Sequence, residues 1–543
     1  MTLVSESPAW LALINEKKRL KFQGFTIAKH LHQNTLVTDG SNTQTFCIDA
    51  CGLHLDYAKH WIESRTVELL LSLAEQQEFD HHRHALQAGH KVNISENRAA
   101  LHSLLRAPSL DFVSADLDLH WHAKEAVLSR MEVMCDKLHN GHWLGATDKP
   151  ITDVINIGVG GSHLPLLAVH AALTDFHLPD IRCHFLANAC PNNFRRITDG
   201  LDPETTLCIV ATKSFSTHET LANADLAKHW FEQAMPSCTF DTVLAKHFIA
   251  ATQNTDAAQA WGVNVEHCLP VWPSIGGRFS VWSAMGLVLG FALGFPAFMQ
   301  LLKGAHAMDT HFFNAQPNRN MPLIMALLSV WYHSIWGLTS FAVVPYSHPL
   351  RYFSDYLQQL AMESGGKHAT QRNELVDYPT CPSLFGGEGN NVQHAFFQHL
   401  HQGTHETPVD FIAVLDTNTQ HQQQQQWLVA SCFAQSRALM LGKSSSGEKA
   451  HNAMPGNKPS STLLLPQLSA ETIGSLLALY EHKTFCESIL WETNAFDQPG
   501  VELGKHLSNE VFTCLSGEPN GALDPSTNRL IERYLTRHHS PRY

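Results

Sequence analysis

Two hydrophobic rhythms alternate along the 543-residue chain. Short continuous apolar runs bounded by glycines and polar turns predict buried parallel strands, and i, i+3, i+4 spacing predicts helices between them. Val154–Val159 is one such run, followed by Gly160-Gly161-Ser162 and a helix over Leu164–Leu173. Leu207–Ala211 is the next, followed by Thr212–Thr217 and a helix over Thr220–Trp230 that a Ser216–Glu219 capping box would open. A third unit pairs a short strand at Phe248–Ala251 with a helix around Asp256–Trp261 and an extended Val263–Leu269. This alternation predicts a parallel sheet with helices on both faces, which binds ligands at the carboxyl ends of its strands.

The flanking segments follow the same logic. Ser7 and Pro8 are suited to cap and open a helix over Pro8–Phe22, and Thr66–Ala74 is a further apolar helix. Asn93–Ala107 has a mixed surface of the kind found at an active-site rim. After residue 300 the pattern restarts as a second α/β lobe, with helical Leu323–Leu338, strand-like Ser340–Val344, helical Val392–Leu400 and strand Asp410–Val414. Gln422–Gln426 is a short glutamine run, and Ser444–Pro459 is a Gly/Pro/Ser-rich loop. Val281–Leu302 carries no charge and is long enough to span a bilayer, and Met321–His348 is also uncharged. Pro296 interrupts the first, His333 lies in the second, and neither has the flanking charge that sets topology, so both read as buried core helices rather than membrane spans.

Composition narrows the class. With 44% hydrophobic and 16% charged residues the chain is an ordered globular protein, and a net charge of −13 argues against nucleic acid or an anionic membrane as partner. The 36 histidines nearly match the 37 lysines and arginines, which predicts charge and solubility that change steeply as pH falls toward about 6. Twelve scattered cysteines without a C-x-x-C pair, and an N-terminus without a signal-peptide pattern, read as cytoplasmic with reduced thiols.

Candidate chemistry clusters at the turns. On a helix Gln359 and Glu363 project from one face, and Gly365-Gly366 would end that helix and free the backbone for positive φ and a close approach. A carboxylate there, beside Lys367, is placed to act as a base. The Gly160–Ser162 turn and the Thr212-Lys213-Ser214-Phe215-Ser216-Thr217 turn offer backbone N–H groups, hydroxyls and a cation at helix starts, a donor set suited to phosphate. Neither turn is a dinucleotide fingerprint or a Walker loop. Arg278 follows Gly276-Gly277, and His394 sits beside a glycine-rich turn where it suits acid–base work. The Asp80–His84 cluster reads as a solvated helix face rather than a metal site, and His399, His401 and His405 do not share a face as a zinc site requires.

Taken in order, these segments resemble the phosphoglucose isomerase (glucose-6-phosphate isomerase) family. IGVGGS (157–162), ATKSFSTHETLANA (211–224), GGRFSVWSA (276–284), LQQLAMESGGK (357–367), QHAFFQHLHQGT (393–404), ALYEHKTF (478–485) and FDQPGVELGK (496–505) carry the resemblance. It implies an α/β protein with two sugar-isomerase (SIS) lobes, each a parallel sheet flanked by helices. The lobes would occupy 121–290 and 291–505, with a helical N-terminal region over 1–120 packed on the large lobe and a C-terminal arm over 506–543. It also implies a homodimer, a sugar-phosphate substrate, and no cofactor or metal. Gly161, Ser162, Thr212, Lys213, Ser214 and Thr217 would bind the substrate, chiefly its phosphate, and Gln359 and Gln498 would line the site. Glu363 would carry the proton between C1 and C2, Arg278 would stabilise the enediolate, and Lys505 would act near the ring oxygen. His394, oriented by Glu219, would open the ring from the partner subunit.

Some positions depart from the family pattern, which commonly has Asn at Gly365, an acid at Pro273 and at His163, and Trp at Pro499; Thr212 and Ser214 exchange the usual hydroxyl types. Two other readings stay open: a non-catalytic sugar-phosphate sensor on the same lobes, and an isomerase of a related sugar phosphate. A sensor could dispense with Glu363, Arg278 or His394; this chain has all three.

Overall fold

A computed structural model describes residues 3–35, 46–112, 114–417, 419–443, 450–517 and 523–539, so the first part of the expected Ser444–Pro459 loop lies outside the described residues. Residues 1–495 form one unit and 496–543 a second.

Among the described residues of the first unit there are eleven strands: β1 (Cys47–Ala50), β2 (Leu53–Lys59), β3 (Asp153–Ile157), β4 (Arg182–Leu186), β5 (Thr206–Ala211), β6 (Phe248–Thr252), β7 (Cys268–Pro270), β8 (Ser340–Tyr346), β9 (Ser383–Gly386), β10 (Val409–Asp416) and β11 (Ser460–Gln467). The smaller sheet, in order β4-β3-β5-β6-β7, is wholly parallel. Its central strands β3, β5 and β6 are buried along their whole length, as strands covered on both faces must be. The larger sheet has the order β1-β2-β11-β10-β8-β9; β11, β10, β8 and β9 run parallel. The strands of the second lobe thus form the expected parallel sheet, which strands from the N-terminal region extend at one edge. β2 pairs antiparallel with β11, and β1 antiparallel with β2, so the N-terminal region adds strands to this sheet as well as helices.

The first helix runs Pro8–Phe22 as expected, with the Ser7 side chain accepting from Trp10 N. The apolar stretch beginning at Val281 is buried but is not one helix. It divides into Leu287–Leu293 and Phe295–Asn314 at Gly294, whose φ of +85° a side chain would resist. Among the described residues no helix is long and apolar enough to cross a membrane. Met321–Val330 continues into a π-turn over Trp331–Trp336, and the helix expected over Val392–Leu400 is two short ones, Gly389–Gln393 and Phe397–Gln402.

The helix Ala470–Leu490 is buried at every position from Ile473 to Leu490, although it carries Glu481, His482, Lys483 and Glu487. Those charges are paired. Arg106 bonds Asp309 through two N–H groups and also meets Glu481, Trp282 Nε1 donates to Glu481 at 2.9 Å, and His482 Nε2 lies 2.6 Å from Asp309. Buried charge persists only when paired and hydrogen-bonded in this way. Burial also removes some histidines from those that gain charge in mildly acidic solution. It pushes His60 and His333 down to about 3, and His102 well below its ordinary value, so these imidazoles stay neutral where solvated ones become charged. In the Asp80–His84 cluster His81 and His84 are exposed, whereas Arg83 turns inward and donates to Ala315 O at 2.9 Å.

In the second unit the helices Pro499–Leu515 and Pro525–His539 are joined by a segment that is only partly described.

Candidate active site

Two turns emerge side by side at the carboxyl ends of β3 and β5, which are paired neighbours. After β3 the chain closes a 3₁₀ turn over Gly160–Ser162, and Asn156 Nδ2 holds it by donating to Ser162 O at 3.1 Å. After β5, Thr212 Oγ1 and Thr217 Oγ1 lie 3.1 Å apart, and Ser216 Oγ donates to Ser214 Oγ at 2.8 Å. The predicted Ser216–Glu219 capping box does not form. The helix starts at His218 with Thr217 as its N-cap and without a side-chain cap bond, which leaves its first N–H groups open toward the turn. Lys213 Nζ reaches Pro273 O at 3.0 Å. Burial lowers the Lys213 ammonium from its ordinary range, with Glu96 opposing the shift and Arg98 and Arg278 adding to it. The 93–107 segment thus supplies charge at the turn.

The loop that carries Arg278 packs directly on the first turn. A Cβ on Gly161 would lie 2.1 Å from Gly277 C and 2.6 Å from Arg278 N, so only glycine permits this backbone contact. Ser280 Oγ adds a bond to Gly161 O at 3.3 Å. Arg278 is 1% exposed and is fixed from several sides: Nε donates to Ser364 Oγ at 2.6 Å, Nη2 to Ala495 O, and Nη1 lies 3.4 Å from Glu363 Oε2.

Glu363 occupies the last turn of the helix Phe353–Gly365, and its carboxylate keeps partial access to solvent. Gln359, one helical turn earlier, donates Nε2 to Glu363 Oε2 at 3.0 Å, and that same nitrogen lies 3.1 Å from where a Gly160 Cβ would stand. Gln359 Oε1 is buried and accepts no hydrogen bond from the described residues. The arrangement joins a carboxylate, a buried guanidinium and an open amide acceptor to the Gly160–Ser162 turn. The expected positive φ at Gly365 and Gly366 is absent. Both are glycine for lack of space: a Cβ at Gly365 would lie 2.9 Å from Cys381 Cβ, and one at Gly366 2.5 Å from Met362 O.

Two other sequence candidates are not joined to this cluster by hydrogen bonds among the described residues. His394 is exposed after the helix Gly389–Gln393, Glu219 is exposed in the first turn of its helix, and no hydrogen bond among the described residues joins either to Glu363 or Arg278. Gln498 and Lys505 belong to the second unit, where Lys505 Nζ pairs with Glu502 at 2.8 Å. Sequence reasoning gave no role to Lys367, whose ammonium caps the Glu363 helix, donating to Glu363 O at 3.1 Å and Ser364 O at 2.9 Å; a lysine just after a glycine helix stop was the available signal. A cavity of about 590 Å³ lined by His84, Ser103, His306 and Asn314 contains none of the acid, base or anion-binding set. Among the described residues no group of three or more His, Cys, Asp or Glu side chains is placed to hold a metal ion.

Two α/β sheets, with glycine- and hydroxyl-rich turns at the strand ends and a glutamate–arginine pair set against the first turn, describe a phosphosugar-isomerase architecture. The phosphoglucose isomerase family model matches residues 56–531. The relatives include glucose-6-phosphate isomerase of Ectopseudomonas mendocina, 42% identical over 555 residues and covering 98% of both chains. That of Pseudomonas aeruginosa is 41% identical over 548 residues, covering 98% of this chain and 97% of its own. Among solved structures, a glucose-6-phosphate isomerase from Chlamydia trachomatis superposes with a TM-score of 0.83 at 29% identity, covering 99% of this chain and 100% of its own. The chain belongs to the phosphoglucose isomerase family.

Proposed function

We infer that this chain interconverts glucose 6-phosphate and fructose 6-phosphate, an aldose–ketose isomerisation. The observation that carries the reading is the Gln359–Glu363–Arg278 cluster packed against the Gly160–Ser162 turn. Aldose–ketose exchange needs a base beside C1 and C2, a cation for the charge that develops, and an anchor for the phosphate. In this reading Gly161, Ser162, Thr212, Lys213, Ser214 and Thr217 hold the phosphate, aided by N–H groups at the start of the helix His218–Ala234. Glu363 takes the proton from one carbon and returns it to the other, and the Arg278 guanidinium, held in a dry setting, stabilises the enediolate between. Gln359 presents its open acceptor to a substrate hydroxyl.

Ring opening falls to His394 and Lys505, with Glu219 orienting the imidazole and Gln498 lining the site. The exposure of His394 supports its donation into the site of a second copy, so the working unit is a homodimer. A cytoplasmic setting with reduced thiols belongs to the same reading. In this reading the route calls for no metal or cofactor. A coupled assay with fructose 6-phosphate, with and without a chelator, tests it: turnover that is unaffected by the chelator is expected. No turnover overturns the reading, and faster turnover of an amino-sugar or another ketose phosphate reassigns the substrate.

A further inference from the structure

A helix end leaves its last carbonyls without intrahelical donors. In the Glu363 helix two of these carbonyls share one donor, because Lys367 Nζ bonds both Glu363 O and Ser364 O. The same ammonium also donates to Asn494 O at 2.8 Å.

Asn494 belongs to a strap, residues 491–495, that leaves the buried helix Ala470–Leu490 and ends where the second unit begins. All five of its carbonyls accept hydrogen bonds, and none of the donors comes from a neighbouring strand. Tyr378 Oη donates to Trp491 O at 2.8 Å, Gln371 N to Glu492 O at 2.7 Å, and Gln371 Nε2 to Thr493 O at 2.8 Å. Lys367 holds Asn494 O, and Arg278 Nη2 holds Ala495 O. The Asn494 amide is itself fixed, donating to Asn93 Oδ1 at 2.9 Å and Ser95 Oγ at 2.8 Å. The strap is thus tied at successive peptides to the segment that follows Glu363 and to the guanidinium that faces Glu363.

We propose that Lys367 is a positioning residue for Glu363, locking the last turn of its helix to the 491–495 strap so that carboxylate and guanidinium keep a fixed relation. The proposal rests on the isomerase reading. Arg278 and Lys367 grip adjacent strap carbonyls, and each also grips the helix, Arg278 at Ser364 Oγ and Lys367 at the carbonyls of Glu363 and Ser364. With the ammonium removed, three carbonyls lose a charged donor together, and the helix end is released from the strap on the side that carries the base. The reacting carboxylate shifts while the phosphate turns, which Lys367 does not touch, stay in place.

The test compares full-length wild type with Lys367→Met, Lys367→Gln and Gln371→Ala. Isomerisation and ring opening are measured on the same sample, so their ratio is independent of how much protein is folded. Thermolysin cleavage within 491–498, mapped by mass spectrometry, reports release of the strap. Lys367→Met lowers the ratio of isomerisation to ring opening by about ten- to a hundredfold, the loss expected when a catalytic group is misplaced by up to ~1 Å. Lys367→Gln, which keeps two N–H donors, gives an intermediate ratio and decides alone if Lys367→Met does not accumulate. Gln371→Ala, which touches only the strap, increases cleavage and lowers the ratio less than Lys367→Met. An unchanged ratio in Lys367→Met, or in Lys367→Gln where that variant decides, overturns the positioning role. A wild type that opens rings without isomerising overturns the functional reading instead.

Discussion

Gly161→Ala places one methyl group between the two loops that the proposed chemistry depends on. Its Cβ would stand 2.1 Å from Gly277 C, 2.2 Å from Gly277 O and 2.6 Å from Arg278 N, all backbone atoms that cannot rotate away. Carbon atoms in ordinary contact are about 3.5 Å apart, so the turns must separate by more than ~1 Å. Overpacking of this kind costs about 1–3 kcal/mol. The Gly161 backbone lies outside the left-handed region, so the less flexible unfolded chain returns about 0.4–1 kcal/mol of that. The net loss of stability is modest, but the displacement falls between the proposed phosphate anchor and the guanidinium. A misplacement of ~1 Å costs on the order of a hundredfold in rate. Purified Gly161→Ala is therefore expected to fold, melt a few degrees lower, and lose about two orders of magnitude in kcat/KM for fructose 6-phosphate. Gly200→Ala, where a Cβ meets nothing within 4 Å, is the control and should be unchanged in rate. Wild-type kcat/KM in Gly161→Ala would refute the coupling of the two loops.

Three further outcomes are expected. Mixing and refolding Glu363→Gln with His394→Ala, each inactive alone, should restore roughly a quarter of wild-type activity, since half the dimers are hybrids with one intact site; no recovery means that His394 serves its own chain. Burial holds His60 and His333 at about 3 and His311 at about 4, so all three are neutral in the fold while their unfolded counterparts take up protons near 6.5. Their contribution is fully present above that unfolded value and is lost as pH falls toward the folded values. The loss is about 1.4 kcal/mol per histidine per pH unit, roughly 4 kcal/mol for the three over the first full unit; denaturant melts showing equal stability at pH 7 and 5.5 would contradict this. Gly365→Asn should cost about 1–3 kcal/mol, because its Cβ meets Cys381 Cβ at 2.9 Å and Trp491 Cζ3 at 3.2 Å; a denaturant midpoint equal to that of the wild type would contradict this.

Local patterns were legible where local physics decides them. Ser7 and Pro8 open the first helix where their chemistry predicts, and β3 and β5 with their turns follow from apolar runs ended by glycine or hydroxyl residues. Ser216 misled because its hydroxyl bonds Ser214 rather than the helix N-terminus, a competition among neighbours that spacing does not resolve. The edge hairpin of β1 and β2 was hidden because it joins the sheet through β2, whose pairing with β11 links residues some four hundred positions apart. In the site, the Gln359–Glu363 pair follows from helical periodicity alone. The approach of Arg278 to Glu363 depends on tertiary packing, and only the family resemblance anticipated it. The place of Lys367 after a glycine helix stop hinted at a bond to the helix end, but its hold on Asn494 O depends on tertiary packing.

The central claim is that Glu363 carries the proton between C1 and C2. Glu363→Gln retains the shape of the site and removes the base, so binding of fructose 6-phosphate should persist near the wild-type Kd. Exchange of the substrate's C1 hydrogen with solvent, followed in deuterium oxide by NMR, should fall by on the order of a thousandfold. Exchange at the wild-type rate in that variant would contradict the claim.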